Sequence, residues 1–459
     1  MTARASGGWT GDARLAWQLT RGSDRQEWWR IGLTAAGSAV ATGFALAAVT
    51  LASVRGEHRV PFGSGLLDSP GERSGVVVGL LLLLVPVLGF LGQCARIGAV
   101  HRDRRLAGLR LAGAGPAQVR RIAALETGPA CLLGSGLATA VTVPVLLGLW
   151  DSPMALTWAG IALVALGVPV LGAAAGVLAL RRVVASPLGW VRRVRPGGGR
   201  GPGLLFTGGV LAVLLLALWA VTNTSGTDRG RIPLTVFGLV IVVGAGTVRL
   251  AGDTARLVGR MLAGRARSAA TLIAAERLRE DPWAAARTHA AVLLVTVVGT
   301  GFVGVRRAFL ADLHGMSREN RLGMPLSFYT TGVDLTGAAI LVALVITLSG
   351  LAVGTAESLA NRRRGLAAQV AAGVPRAVLG RALLLETALP LAPAVALAGA
   401  GGMAIGIWYG SLAQEYVTQA VPYAALLVPV GVYACCLLAA ATSLPLLRRS
   451  AHPAELRYA

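Results

Sequence analysis

Ten apolar runs, most of them about 20 residues or longer, recur along this 459-residue chain, with arginine-rich segments between them. A helix needs ~20 predominantly apolar residues to cross the ~30 Å hydrocarbon core of a bilayer. Repeated runs of that length argue for membrane spans rather than buried helices of a soluble core. The predicted fold class is therefore an all-α polytopic membrane protein. The spans are expected near residues 31–53, 75–97, 123–149, 155–180, 204–222, 232–250, 289–310, 335–356, 382–410 and 421–447.

Arginine placement orients these spans. With the N-terminus inside, the inner segments hold 5 (residues 1–30), 7 (96–121), 6 (181–203), 8 (249–289), 5 (357–381) and 3 (448–459) arginines, 34 of the 43 basic residues. An excess of cationic residues in cytoplasmic loops is the topology signal of membrane proteins, and one wrong span would reverse the asymmetry downstream of the error. Both termini are thus expected in the cytoplasm. The first 30 residues are polar and carry five arginines, so they read as a cytoplasmic segment rather than a cleaved leader. The net charge of +22 would point to nucleic acid in a soluble protein, but here it is explained by topology, and no nucleic-acid partner is expected.

All 43 basic residues are arginine; there is no lysine. A P-loop needs Lys to reach the β- and γ-phosphates, so the chain cannot carry a conventional ATPase motif of its own. Cys94, Cys131, Cys435 and Cys436 lie within or at the ends of apolar runs, in no zinc-site spacing, and read as small packing residues. The five histidines are scattered. Paired carboxylates and a Ser/His/Asp set are also missing from the sequence pattern, so the chain is expected to be no enzyme and to hold no cofactor or metal.

One segment occurs twice, 260 residues apart: RDRRLAGLRLAGAGPAQVRRIAALET at 102–127 and RRRGLAAQVAAGVPRAVLGRALLLET at 362–387. Eleven of the 26 aligned positions are identical, among them Arg102/Arg362, Arg104/Arg364, Leu106/Leu366, Gly113/Gly373, Ala117/Ala377, Arg121/Arg381 and Glu126/Glu386. Each copy follows one apolar run and leads into the next. Six spans separate the copies, so both face the same side, as a parallel repeat. The repeat unit is then one span, an outer loop and three more spans. This divides the chain into a cytoplasmic segment (1–30), a first four-span unit (31–180), a linker and connecting two-span hairpin (181–264), a second four-span unit (265–447) and a cytoplasmic tail (448–459). The outer loops 54–74 and 311–334 are too short for folded domains. Residues 265–287 read as a helix lying along the membrane and interrupted near Pro282. Segments 13–30 and 271–289 correspond weakly.

Each copy reads as a short basic helix, a Gly/Pro turn and a helix entering the membrane. That arrangement suits two equivalent docking elements for a partner with two equivalent sites. The candidate docking residues are Arg102, Arg104, Arg105, Leu106, Gly113, Arg120 and Arg121 in the first copy. In the second they are Arg362, Arg363, Arg364, Leu366, Gly373, Arg376 and Arg381. Glu126 and Glu386 sit about one turn inside the following spans. There the helix dipole favours a carboxylate, Arg121 and Arg381 are near in sequence, and structural anchoring is preferred over a proton relay. Gly172-x-x-x-Gly176 and Gly402-x-x-x-Gly406-x-x-x-Gly410 mark close helix packing. Gly401 and Gly402 with Pro390 and Pro393 predict a kinked or mobile ninth span. Trp28, Trp29, Trp150, Trp408 and Tyr409 suit membrane interfaces.

On these residues the chain resembles the FtsX-like permease family, the membrane subunits of MacB-type ABC transporters. The likeness lies in the basic stretch, the Gly-Ala-type turn, the basic helix and the Glu that opens the next span, present twice with matching topology. The resemblance implies a bacterial plasma-membrane permease. Cytoplasmic ATP-hydrolysing subunits, two copies per chain, would dock on the connectors and bind the ATP and magnesium. It implies export or membrane extraction of a peptide, antibiotic or lipid-linked molecule. The different-class alternative is mechanical signalling to an outer-face partner such as a cell-wall hydrolase or sensor kinase. The ten-span form is similar to the bacitracin-export type, but the large outer domain of that type, and that of MacB, has no counterpart in the short loops here. An ion-coupled secondary transporter is a third reading, disfavoured by the scarcity of buried acids.

Overall fold

The computed structural model describes residues 25–54, 108–149, 155–179, 232–280, 282–412 and 422–445 as continuous stretches. It also describes isolated positions at 11, 14 and 18, between 65 and 94, and at 447. The described residues form helices and turns, with no strand among them. Eight of these helices are long and apolar enough to cross a membrane. The chain is a multi-pass, all-α membrane protein. Of the two remaining expected spans, 204–222 lies outside the described residues. The other, 75–97, is described only at positions that are all helical, from Val76 to Cys94.

The chain divides into two compact units, Met1–Gly197 and Gly198–Ala459. In the first, α1 (Arg25–Ser53), α2 (Pro116–Leu149) and α3 (Ala155–Ala179) pack pairwise, with α1 against α2 the most extensive pair. Small residues and hydroxyls set that contact. A side chain on Gly134 would run into the carbonyl oxygen of Ala35, so only glycine lets α2 lie this close to α1. Ser38 Oγ donates to the Cys131 carbonyl oxygen at 2.8 Å, and a Cβ on Gly172 of α3 would come within 2.5 Å of Cys131 Sγ. Ser53 and Thr157 share a 2.8 Å hydroxyl bond that ties the end of α1 to the start of α3. Buried Arg73 closes the segment after α1: it donates to the carbonyl oxygens of Val54, Leu67 and Asp68 at 2.6, 2.9 and 2.8 Å.

The second unit contains α4 (Ile232–Ala263), α5 (Ala269–Glu280), α6 (Pro282–Arg318), α7 (Leu326–Asn361), α8 (Arg363–Ala371), α9 (Arg376–Leu412) and α10 (Leu427–Ala441). A 3-10 turn, Tyr423–Leu426, leads into α10. The pair α6 and α9 is central: 56% and 44% of their apolar windows are buried, against 17% for α3. Gly402 and Gly406 of α9 face Gly301 and Gly304 of α6, where a Cβ on Gly402 would sit 2.5 Å from the Val297 carbonyl oxygen. The third glycine of that stripe, Gly410, faces open space. Val292, Leu293, Val297, Leu351, Leu391, Ala398, Ile405, Val432 and Cys436 fill the core around the crossing. Helix α4, the later half of the expected connecting hairpin, packs along α6, α9 and α5.

Several boundaries differ from the sequence expectation for one reason: helices outlast their apolar stretch. The expected outer loop 311–334 is helical to Arg318 and again from Leu326, leaving only a short turn in which Asn320 takes φ 53°. Residues 311–318 mix polar side chains with the helix formers Ala311, Leu313, Met316 and Arg318, so hydropathy falls before the helix ends. The interruption near Pro282 is real, because α5 ends at Glu280 and Pro282 is the first residue of α6, where its missing N–H costs nothing. Helix α5 begins on a side-chain cap, the Thr271 amide donating to Ser268 Oγ at 3.2 Å. Its buried stripe Ala270, Ala274, Ala275 and Leu278 turns one face inward. Helix α9 runs continuously through Pro390 and Pro393.

The paired connectors as candidate functional site

Both copies of the repeat fold into the same turn, residue for residue. In the first, the amides of Ala112, Gly113, Ala114 and Val119 donate to the carbonyl oxygens of Gly108, Arg110, Leu109 and Gly115. In the second, those of Ala372, Gly373, Val374 and Leu379 donate to Ala368, Val370, Gln369 and Pro375, the same four bonds displaced by 260. The i to i−5 bond outside an i to i−3 bond is a Schellman cap, which places its pivot residue in the left-handed region. That pivot is Gly113 (φ 98°) and Gly373 (φ 91°), the identical glycines of the repeat. A Cβ at either would meet no atom within 4 Å, so the backbone angle, not space, requires glycine.

The shifted proline is also accounted for. Helices α2 and α9 start at equivalent positions, 116 and 376, but Pro116 is the first helical residue while Pro375 stands just before it. Neither position needs a backbone N–H for the helix ladder, so proline fits both.

Burial repeats with the backbone. Val119, Ile122, Ala123 and Thr127 are buried, as are Leu379, Ala382, Leu383 and Thr387. The tips, residues 111–113 and 115–117 in one copy and 371–373 and 375–377 in the other, are exposed. Leu111 is 68% exposed, unusual for leucine on a polar turn.

The candidate residues separate on this scaffold. Gly113 and Gly373 are turn pivots. Arg120, Arg376 and Arg381 are exposed at the connectors, and Arg121 and Arg363 are half-buried. Arg102, Arg104, Arg105 and Leu106 lie outside the described residues, and of Arg364 only the helical backbone is described. Leu366 does not face outward: it is buried in a cluster with Leu359, Leu379, Leu383 and Leu447, which holds α8 against α7 and α9. Its place in the repeat is explained by packing.

The acid of the second copy has different partners from those expected. Glu386 accepts from Arg362 Nη1 at 2.8 and 3.1 Å and from Arg277 Nη1 of α5 at 2.7 Å, while Arg381 points to solvent. Arg362 is thus committed to the anchor rather than to a free docking surface. The cluster joins α5, the start of α8 and α9, three segments far apart in sequence. Arg277 was invisible from sequence, because nothing in its spacing relates it to an acid 109 residues away. Glu126, the counterpart acid, is buried in the first unit.

Cys94, Cys131, Cys435 and Cys436 are unbridged, and three of the four are buried. Among the described residues no three His, Cys, Asp or Glu side chains gather as metal ligands would. The fold and the paired connectors define a multi-pass helical membrane protein with a duplicated, exposed turn. No protein-family model matches the chain, and no curated protein matches it either.

Proposed function

We propose that this chain is the permease subunit of an FtsX-like, MacB-type ABC transporter. In this reading it sits in the bacterial plasma membrane with both termini cytoplasmic. Ten spans form two parallel four-span units joined by a two-span hairpin. Two copies of a cytoplasmic ATPase dock on the two connectors, and ATP-driven closure of that pair moves the spans to export or extract an amphipathic peptide, antibiotic or lipid-linked molecule. The observation that carries the reading is the duplicated turn: one backbone geometry with an exposed tip, made twice by diverged residues. A topology signal needs only positive charge on the inner side and would leave turn geometry free to drift. A partner with two equivalent sites would hold it fixed.

The decisive experiment purifies the chain from its native host in detergent and identifies what accompanies it. An ABC-type ATPase at about two copies per chain supports the proposal; intact protein that reproducibly brings none overturns it. The residue-level test uses exposed side chains only. R120E in the first copy and R376E/R381E in the second should each weaken ATPase retention without changing membrane insertion. Undiminished retention in both would remove the docking assignment.

Mechanical signalling to an outer-face protein or sensor kinase is the second reading, and one observation favours it. Helices α6 and α7 continue past their apolar stretches to a short turn at 319–325, with Arg306 and Asp334 3.4 Å apart across the pair. Eight helical residues beyond position 310 add ~12 Å. Movement of these spans would carry directly to the outer face.

A further inference from the structure

Where α4, α5 and α8 meet, the second unit has an open cleft of about 800 Å³. Arg256 and Arg260 line it from the last two turns of α4, and Glu276, Arg277, Arg279 and Glu280 from α5. Four guanidinium groups therefore face two carboxylates. The excess is concentrated on α4. Arg277 is paired with Glu386 at 2.7 Å and Arg279 with Glu276 at 2.6 Å. Arg256 and Arg260, one turn apart on the same face, are exposed and have no carboxylate partner among the described residues. Glu280 stands at the rim without an ion pair among the described residues.

The cleft's position restricts what the two arginines can meet. They occupy the end of a helix long and apolar enough to span the membrane, Gly238–Ala263. The neighbouring stripe of that helix exposes apolar side chains, with Leu257 at 57% and Met261 at 51%. Leu272, in the cleft wall itself, is 44% exposed. Paired guanidinium forks beside bare apolar surface, at the end of a span, match a molecule with an anionic head and an apolar tail. Guanidinium binds phosphate oxygens through two parallel N–H bonds, and basic pockets between helix ends are where acidic lipid heads settle.

We propose that this cleft binds the phosphate head group of an anionic phospholipid, with Arg256 and Arg260 as its ligands and Leu257, Met261 and Leu272 flanking its chains. The occupied cleft would brace α5 against α8, because Gln369 of α8 forms its far wall and Arg277 of its α5 wall belongs to the Glu386 cluster. The inference needs no ATPase and stands apart from the transporter reading.

The test is lipid binding by the purified full-length chain, read by native mass spectrometry and by thermal shift in detergent. Phosphatidylglycerol or cardiolipin should be retained and should raise Tm, while phosphatidylcholine with the same acyl chains should not. R256A/R260A should weaken anionic-lipid binding by about tenfold or more, since each basic residue near the surface contributes ~1 kcal/mol. R376A/R381A, which removes two exposed arginines from the connector, should bind lipid as wild type does while losing ATPase. The two readings thereby fail separately. Wild-type lipid affinity in R256A/R260A overturns the proposal. So does equal binding of phosphatidylcholine, and so does stabilisation by inorganic phosphate as large as that by lipid, which would make this a site for a free anion. If R256A/R260A does not fold, R256Q/R260Q is read instead, which keeps the side-chain bulk and removes both charges. A loss of anionic-lipid affinity of about tenfold supports the site, and wild-type affinity overturns it.

Discussion

The two copies of the repeated segment agree in backbone and diverge in side chains, and the agreement is closest where geometry is most demanding. Their glycine pivots, four turn hydrogen bonds and buried positions coincide. Their exposed tips agree less: Leu111 and Pro116 of one stand where the other has Ala371 and Arg376. Three arginine pairs recur as well, Arg102/Arg362, Arg104/Arg364 and Arg121/Arg381, so the repeat keeps its turn geometry and part of its charge. The shared element is a rigid cap whose decoration differs between copies. Deeper in the membrane the units differ more. The closest backbone approach in the first unit lies at Gly134, eight residues past Glu126, and in the second at Gly402, sixteen past Glu386. A common connector thus precedes two differently placed helix crossings.

The largest effects should come from those crossings. G402L places a side chain against the Val297 carbonyl oxygen and the Gly301 amide, and G134L places one against Ala35. Backbone cannot yield as a flexible side chain can, so each should cost about 3 kcal/mol or more and lower Tm and folded yield in detergent. G410L, facing open space, should stay within about 0.5 kcal/mol. A Tm for G402L equal to that of G410L would refute the close α6–α9 crossing.

The Glu386 cluster comes next. E386Q leaves Arg277 and Arg362 without their carboxylate. Because the acid is 20% exposed, the cost should be about 1–2 kcal/mol rather than that of a fully buried pair. Amide exchange should rise in α5 and α8 together. R381A should change neither stability nor exchange, since Arg381 is not a partner of Glu386. A double-mutant cycle of E386Q with R277Q sharpens the point, and additive effects would remove the tie between α5 and α9.

How much of this was legible in the sequence follows from the range of each interaction. The Gly113 and Gly373 pivots, the two connectors and the interruption at Pro282 are local, set by residues within one turn, and the sequence pattern located them. Helix ends were legible only where apolarity and helicity stop together. At 311–318 they do not, and an expected loop is helix. Long-range contacts left no trace. Arg277 reaches Glu386 across the unit, and Leu366, repeated in sequence, is buried by Leu447 from beyond α10. Arg73 teaches the same lesson about charge. It counts among the nine outer arginines that dilute the topology signal, yet it is buried and saturated by carbonyl oxygens. Its position reflects closure of a loop, not orientation in the membrane.

The smallest predicted effects test the equivalence of the copies most directly. G113A and G373A each force a Cβ into a left-handed backbone with φ near 98° and 91°, where no neighbouring atom would clash. The penalty is then the conformational one alone, about 1 kcal/mol for each copy. Asparagine tolerates that region better than alanine or valine, so G373N should cost less than G373V, and G113N less than G113V. Because the surroundings are equally open, the two alanine variants should agree within about 0.5 kcal/mol in thermal unfolding. A penalty at one glycine with none at the other would mean that the two turns are alike in shape but not in constraint. Under the proposed docking, the partner would then have to recognise them differently. Equal penalties, together with equal loss of ATPase retention, would mean that one cap geometry serves both sites whatever side chains it carries.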